Sequence, residues 1–101
     1  MAIGTISKSR FRRVLRSLGF AEDKSREHIY LEYYYKGKKI VQTKVSHGGR
    51  KDISKRLLGY ILREQIYLTR QEFESAVNGE LSADDYLMLL AQKGILKNRE
   101  E

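Results

Sequence analysis

Residues 28–45 read HIYLEYYYKGKKIVQTKV, and their reading decides the fold. Ile29, Leu31, Tyr33 and Tyr35 fall on odd positions, while His28, Tyr30, Glu32, Tyr34 and Lys36 fall on even ones. Such period-two alternation marks a strand with one buried face. After Gly37 the odd positions Val41, Thr43 and Val45 continue the same pattern. Cross-strand neighbours point to one face, so odd must pair with odd. A three-residue loop, Tyr35-Lys36-Gly37, meets that condition with Gly37 in the left-handed conformation of a bulged turn. A two-residue loop would place Gln42 and Lys44 in the core. The expectation is therefore a hairpin with the longer loop, leaving His28 on the open face, roughly opposite Lys44 and beside Tyr30.

Upstream, Ser7 is placed to cap a helix running to about Leu18, with Phe11, Val14, Leu15 and Leu18 forming one apolar stripe. Gly19 suits the residue that stops it. The polar stretch FAEDKSRE fits at most a short edge strand. Downstream, a second helix is predicted from about Asp52 to Ile66, burying Ile53, Leu57, Tyr60 and Ile61, with Leu68 beyond it. Thr69-x-x-Glu72 has the form of a capping box and opens a short third helix ending near Asn78-Gly79. Ser82 starts a fourth that Gly94 stops, with Tyr86, Leu87, Leu89, Leu90 and Leu96 to bury. The order predicts an α+β fold of two layers, helices on one face of an antiparallel sheet and the other face open.

A chain of 101 residues without cysteine offers neither a disulfide framework nor a thiolate metal site. No apolar stretch has the length of a signal sequence or a membrane span, so a cytoplasmic protein is expected. Charge is unevenly spread: residues 1–56 hold 15 basic against 5 acidic side chains, and residues 57–101 hold 5 against 8. A surplus of ten positive charges in the first half predicts a polyanion-binding face there.

The segment SHGGRKDISK, residues 46–55, is the densest candidate. Gly48 and Gly49 allow the backbone to approach a ligand closely, and Arg50, Lys51, Lys55 and Arg56 flank the expected helix start, whose N–H groups and dipole favour a phosphate. The competing reading is a loop whose glycines only end strand pairing. Nucleotide-binding loops of the G-x-x-x-x-G-K-[ST] or G-x-G-x-x-G form are absent, and two histidines without cysteine match no zinc cluster. His28 is the candidate for proton transfer, since imidazole titrates near neutrality. Arg26 or Lys44 beside it would stabilise charge developing on a phosphate. His47 reads either as a second proton carrier or as a polar strand end. Tyr30 and Tyr34 are candidates for stacking on bases.

The stretch from Leu18 to Phe73 resembles the HicA-like (YcfA-like) family of small messenger-RNA-cleaving toxins. The likeness rests on Leu18-Gly19-Phe20, on His28-Ile29-Tyr30, and on His47-Gly48-Gly49-x-Lys51. It continues through Ile53, Leu57, Ile61-Leu62-Arg63-Glu64-Gln65 and Leu68-Thr69-x-x-Glu72-Phe73. Ser25 and Arg26 stand where the family carries Gly-Ser, and Val45 where it carries proline. The resemblance implies a double-stranded-RNA-binding-domain-like domain, placed over residues 1–73; residues 74–101 exceed the family's usual length, and their own helix signals predict a helical extension packed on the same domain. The resemblance also implies a metal-independent endoribonuclease needing no cofactor, with His28 as general acid or base. RNA is the expected partner, together with an antitoxin similar to HicB. Two rivals keep the basic face without the chemistry: a non-catalytic double-stranded nucleic-acid-binding module, and a protein-interaction module using the C-terminal helices.

Overall fold

The computed structural model describes residues 4–96; the outer ends of the predicted 1–73 and 74–101 segments lie outside the described residues. The chain runs β1 (Ile6–Ser7), α1 (Lys8–Ser17), β2 (Ala21–Asp23), β3 (His28–Tyr35), β4 (Lys38–Ser46), β5 (Asp52–Ile53), α2 (Lys55–Ile61), a π-helical turn (Leu62–Ile66), α3 (Arg70–Val77) and α4 (Ala83–Gln92). The fold is α+β. β2, β3 and β4 form an antiparallel sheet in that order, and β1 pairs with β5 in a separate two-stranded ribbon.

The hairpin keeps the expected parity by a different device. Tyr35 pairs with Lys38, so the turn has two residues, Lys36 and Gly37, both with positive φ (52° and 81°) as a type I′ turn requires. Tyr34 then pairs with Lys39 but Tyr33 with Val41, leaving Ile40 as a bulge residue. The extra residue on β4 restores odd-to-odd pairing: Ile29 faces Val45 and Leu31 faces Thr43. The expected three-residue loop is corrected, and with it the register by two positions. His28 lies opposite Ser46, and Lys44 lies opposite Tyr30.

Odd side chains of β3 and β4 are buried beneath the helices, while the even side is largely open. α1 packs Phe11, Val14 and Leu15 inward, and Gly19 (φ 107°) turns the chain into β2 where a Cβ would come within 3.3 Å of the Tyr33 ring. Phe20, Tyr33 and Tyr86 form an aromatic cluster with centroid separations of 5.2–5.6 Å. Tyr86 comes from α4, and Phe73 of α3 meets Phe11 of α1 at 6.0 Å. The C-terminal helices thus complete the one core that α1 and the sheet begin.

α2 departs from expectation. Asp52 and Ile53 are extended and pair with Ser7 and Ile6, and the helix begins only after Ser54, whose side chain caps the Leu57 amide. Shifting the start shifts the phase. Leu58, Ile61, Leu62 and Ile66 face the core, whereas Leu57 and Tyr60 stand 49% and 48% exposed. Of the predicted stripe, Ile53, Ile61 and Leu68 are buried as expected, while Leu57 and Tyr60 are not, because the stripe takes Ile53 as helical and it is a strand residue. Among the described residues, no helix is long and apolar enough to cross a membrane.

Candidate nucleic-acid interface

The β1–β5 ribbon sets Ser7 against Asp52 and Ile6 against Ile53, and because the pair is antiparallel α1 and α2 begin from its two opposite ends. Acidic residues normally occupy a first turn, where they complement the helix dipole. α3 and α4 obey, with Glu72 in one and Asp84 and Asp85 in the other. α1 and α2 have no acid there; their first turns carry Lys8, Arg10, Lys55 and Arg56. Both helices that leave the ribbon therefore start amid cations.

The glycine loop closes over the start of α1 rather than α2. Lys8 donates its backbone N–H to the Lys51 carbonyl at 2.8 Å. Its Nζ donates to Ser46 Oγ at 2.5 Å and to the Gly48 carbonyl at 2.9 Å. The result is a groove of about 310 Å³ lined by Lys8, Arg12, His47, Gly48, Gly49, Arg50 and Lys51, among others. This corrects the expectation that these glycines lead directly into α2: β5 and its Ser54 cap intervene, and Lys55 and Arg56 project from α2 outside the groove.

A second groove of about 270 Å³ adjoins the first, sharing Lys8, Val45 and Ser46. It runs between the end of β4 and α2, and its walls include His28, Lys44, Leu57, Tyr60 and Gln65. Gln65 is fixed by the π-helical turn, with Thr43 Oγ1 donating to its Oε1 at 2.6 Å. His28, half-buried, touches the Tyr30 ring edge-on with centroids 6.4 Å apart.

Farther across the open face, Arg26 lies over Tyr30, its guanidinium carbon 3.8 Å from the ring centroid. Lys44 Nζ approaches the same ring at 6.0 Å. Glu32, almost fully buried on the open side of the sheet, gathers Arg26 at 3.4 Å, Lys39 at 3.5 Å and the Tyr34 hydroxyl at 3.3 Å. That single carboxylate offsets only part of the charge of Arg26 and Lys39 beside it. His47 serves structure as well as charge, since its Nε2 shares a 3.0 Å hydrogen bond with the Arg26 carbonyl, tying the loop before β3 to the end of β4.

No family model matches the chain, and no curated protein or solved structure is significantly similar to it. The interface therefore has to be read from its own geometry. On the other side of the sheet edge, Glu22 receives Arg12 Nε at 2.6 Å and Arg16 at 2.9 Å. The Arg12 hydrogen bond leads in holding this carboxyl below the usual carboxylate range, against the opposing effect of burial, and raises Arg12 in turn. Two cations of α1 are thus committed to packing the helix on β2. Among the described residues no group of three or more His, Asp or Glu gathers as a metal site would need.

Sequence reasoning missed Lys8, Leu57, Tyr60 and Gln65 as groove residues. Lys8 was visible as a cation in the first turn of a helix, a position that the dipole disfavours. Leu57 and Tyr60 were hidden by the wrong helix phase, and Gln65 by the π-helical turn.

Proposed function

We propose that the protein binds RNA through the surface where α1, α2 and the 46–51 loop meet, and cleaves it with His28 as general acid or base, as the resemblance to HicA-like toxins implies. The observation that supports the binding is the pair of helix starts flanking the β1–β5 ribbon, whose first turns hold only cations among their charged residues. A local rule broken twice beside one ribbon, and obeyed at α3 and α4, points to an anion as the missing complement. Polyphosphate binding of this kind has a steep salt dependence.

The chemistry rests on where His28 stands. Its imidazole forms part of a groove wall together with Lys44 and Lys8, the latter shared with the basic groove. A phosphate lying across Lys8 brings an adjacent 2′-hydroxyl toward the ring. Imidazole takes that proton as the 2′-oxygen attacks phosphorus, and the P–O5′ bond breaks to leave a 2′,3′-cyclic phosphate. The departing 5′-oxygen takes a proton from the imidazolium or from water, and Lys44 offsets the charge that develops on the phosphorane. In this reading the sheet and helices form a double-stranded-RNA-binding-domain-like platform, the histidine its reactive point, and a HicB-like antitoxin its natural inhibitor.

A second reading, a binding module without cleavage, is favoured by Arg26. Where the family that the sequence resembles carries serine, this chain lays a guanidinium over Tyr30, the ring that His28 meets edge-on. Incubating wild type and His28→Ala with labelled structured RNA in EDTA at low salt separates the two. Cleavage by wild type that disappears in the variant, with binding retained, supports the ribonuclease. Tight, salt-dependent binding by both without product supports the binding module.

A further inference from the structure

We propose that the groove between β4 and α2 is a base pocket that takes one unpaired nucleobase of an RNA strand, stacked on Tyr60. This deepens, and rests on, the RNA-binding reading, and it specifies the substrate class as single-stranded or looped RNA.

Tyr60 and Leu57 lie one turn apart on the exposed side of α2, each about half exposed although large and apolar, and both line the same groove. An aromatic face at the wall of a recess is what a base stacks on. The volume, about 270 Å³, falls just below the ~300–1,000 Å³ of sites for drug-sized ligands and suits a single flat ring system. Polar groups line it as well. Gln65 spends its carbonyl on Thr43, which leaves its amide N–H groups to donate to a base edge. Asp52 and Ser46 supply acceptors for a base amino or imino group.

The setting also selects the strand. Lys8 separates this groove from the loop groove, so a phosphate held by Arg50 and Lys51 and a base held by Tyr60 belong to neighbouring parts of one strand. In a duplex both faces of each base are already stacked and the recess has nothing to receive, whereas an unpaired nucleotide can turn its base inward. His28 lines the same groove, so the sugar of the captured nucleotide is the one presented to the imidazole.

The test uses the full chain and a short unstructured RNA carrying one 2-aminopurine, free and annealed to its complement. Wild type is expected to prefer the single strand and to quench the fluorophore on binding. Tyr60→Phe keeps both properties. Tyr60→Ala and Tyr60→Leu lose the quenching and bind about 5- to 150-fold more weakly, the worth of one base–aromatic stack. A preference for the duplex, or unchanged quenching in both non-aromatic variants with their circular dichroism intact, overturns the base pocket while leaving salt-dependent RNA binding in place. Absence of salt-dependent binding to either RNA overturns the pocket and the RNA reading together.

Discussion

Tyr86 connects the C-terminal helix to the candidate site, and replacing it tests the packing on which the site depends. Its ring is fully buried against Phe20 and Tyr33, and its hydroxyl donates to the Ile66 carbonyl at 2.9 Å. Ile66 ends the π-helical turn that also carries Gln65, the partner of Thr43. Tyr86→Phe keeps the ring and removes the hydrogen bond, leaving a buried carbonyl without that donor, which costs about 1–3 kcal/mol. At roughly 4–8 °C per kcal/mol for a domain near this size, the melting temperature should fall by about 4–24 °C. Tyr86→Ala also opens a cavity in the aromatic cluster and should cost about 3–5 kcal/mol or more. That is a large part of the ~5–15 kcal/mol a domain possesses.

Chemical denaturation followed by far-ultraviolet circular dichroism measures both costs, and amide exchange localises the first. Tyr86→Phe should speed exchange in residues 62–66 more than in β3. Burial raises the Tyr86 phenol far above its ordinary value, so the folded state keeps a proton that the unfolded chain releases near pH 10. Stability therefore falls as pH rises above about 10, and the Phe variant lacks that contribution. A Tyr86→Ala protein within about 1 kcal/mol of wild type would refute the reasoning, because α4 would then be an appendage. The same interdependence bears on the protein-interaction alternative: deleting residues after Asn78 removes Tyr86 and Leu90 from the core, so lost partner binding in such a truncation reports unfolding.

Two further outcomes follow from the charges. Arg50→Ala combined with Lys51→Ala should lower the slope of log K against log salt by about 1.4–1.8, the release expected for two phosphate contacts, and an unchanged slope in a filter-binding series removes these residues from the grip. Glu22→Gln should cost about 1–2 kcal/mol at neutral pH through its charged hydrogen bonds to Arg12 and Arg16. Because the folded Glu22 carboxyl titrates below its ordinary value, its contribution is full above the unfolded value near 4.3 and is lost as pH falls through the folded one. Melting curves of the two proteins should therefore converge in acid, and a gap that persisted at pH 2 would count against the ion pair.

Most of the fold was legible because its signals are local. The alternation through β3 and β4 fixes which face is buried, and the N-caps Ser7, Thr69 and Ser82 declare three helix starts by side-chain chemistry alone. The hairpin shows what parity leaves open. A three-residue loop and a two-residue turn with a bulge at Ile40 satisfy the same alternation, yet they differ by two residues in register. Only the conformation of Lys36, which is not glycine and still adopts positive φ, decides between them.

The site was legible in its charges and obscured in its shape, and the reason is the β1–β5 ribbon. Two residues pairing with two others across some 45 positions leave no periodic trace, yet that pairing converts Asp52-Ile53 from helix to strand and moves the start of α2 to Lys55. Once the start moves, Leu58 takes the core position expected of Leu57, and Tyr60 turns to the surface beside Lys44 and His28. The same ribbon ties β5 to the strand that precedes α1, so one long-range contact both exposes an aromatic ring and sets Lys8 and Lys44 in the groove beside it. Selection for stability alone would favour acids in those first turns and a polar residue at position 60. Lysine, arginine and tyrosine stand there instead, and their joint departure from what folding asks is the ground for proposing this surface as the binding one.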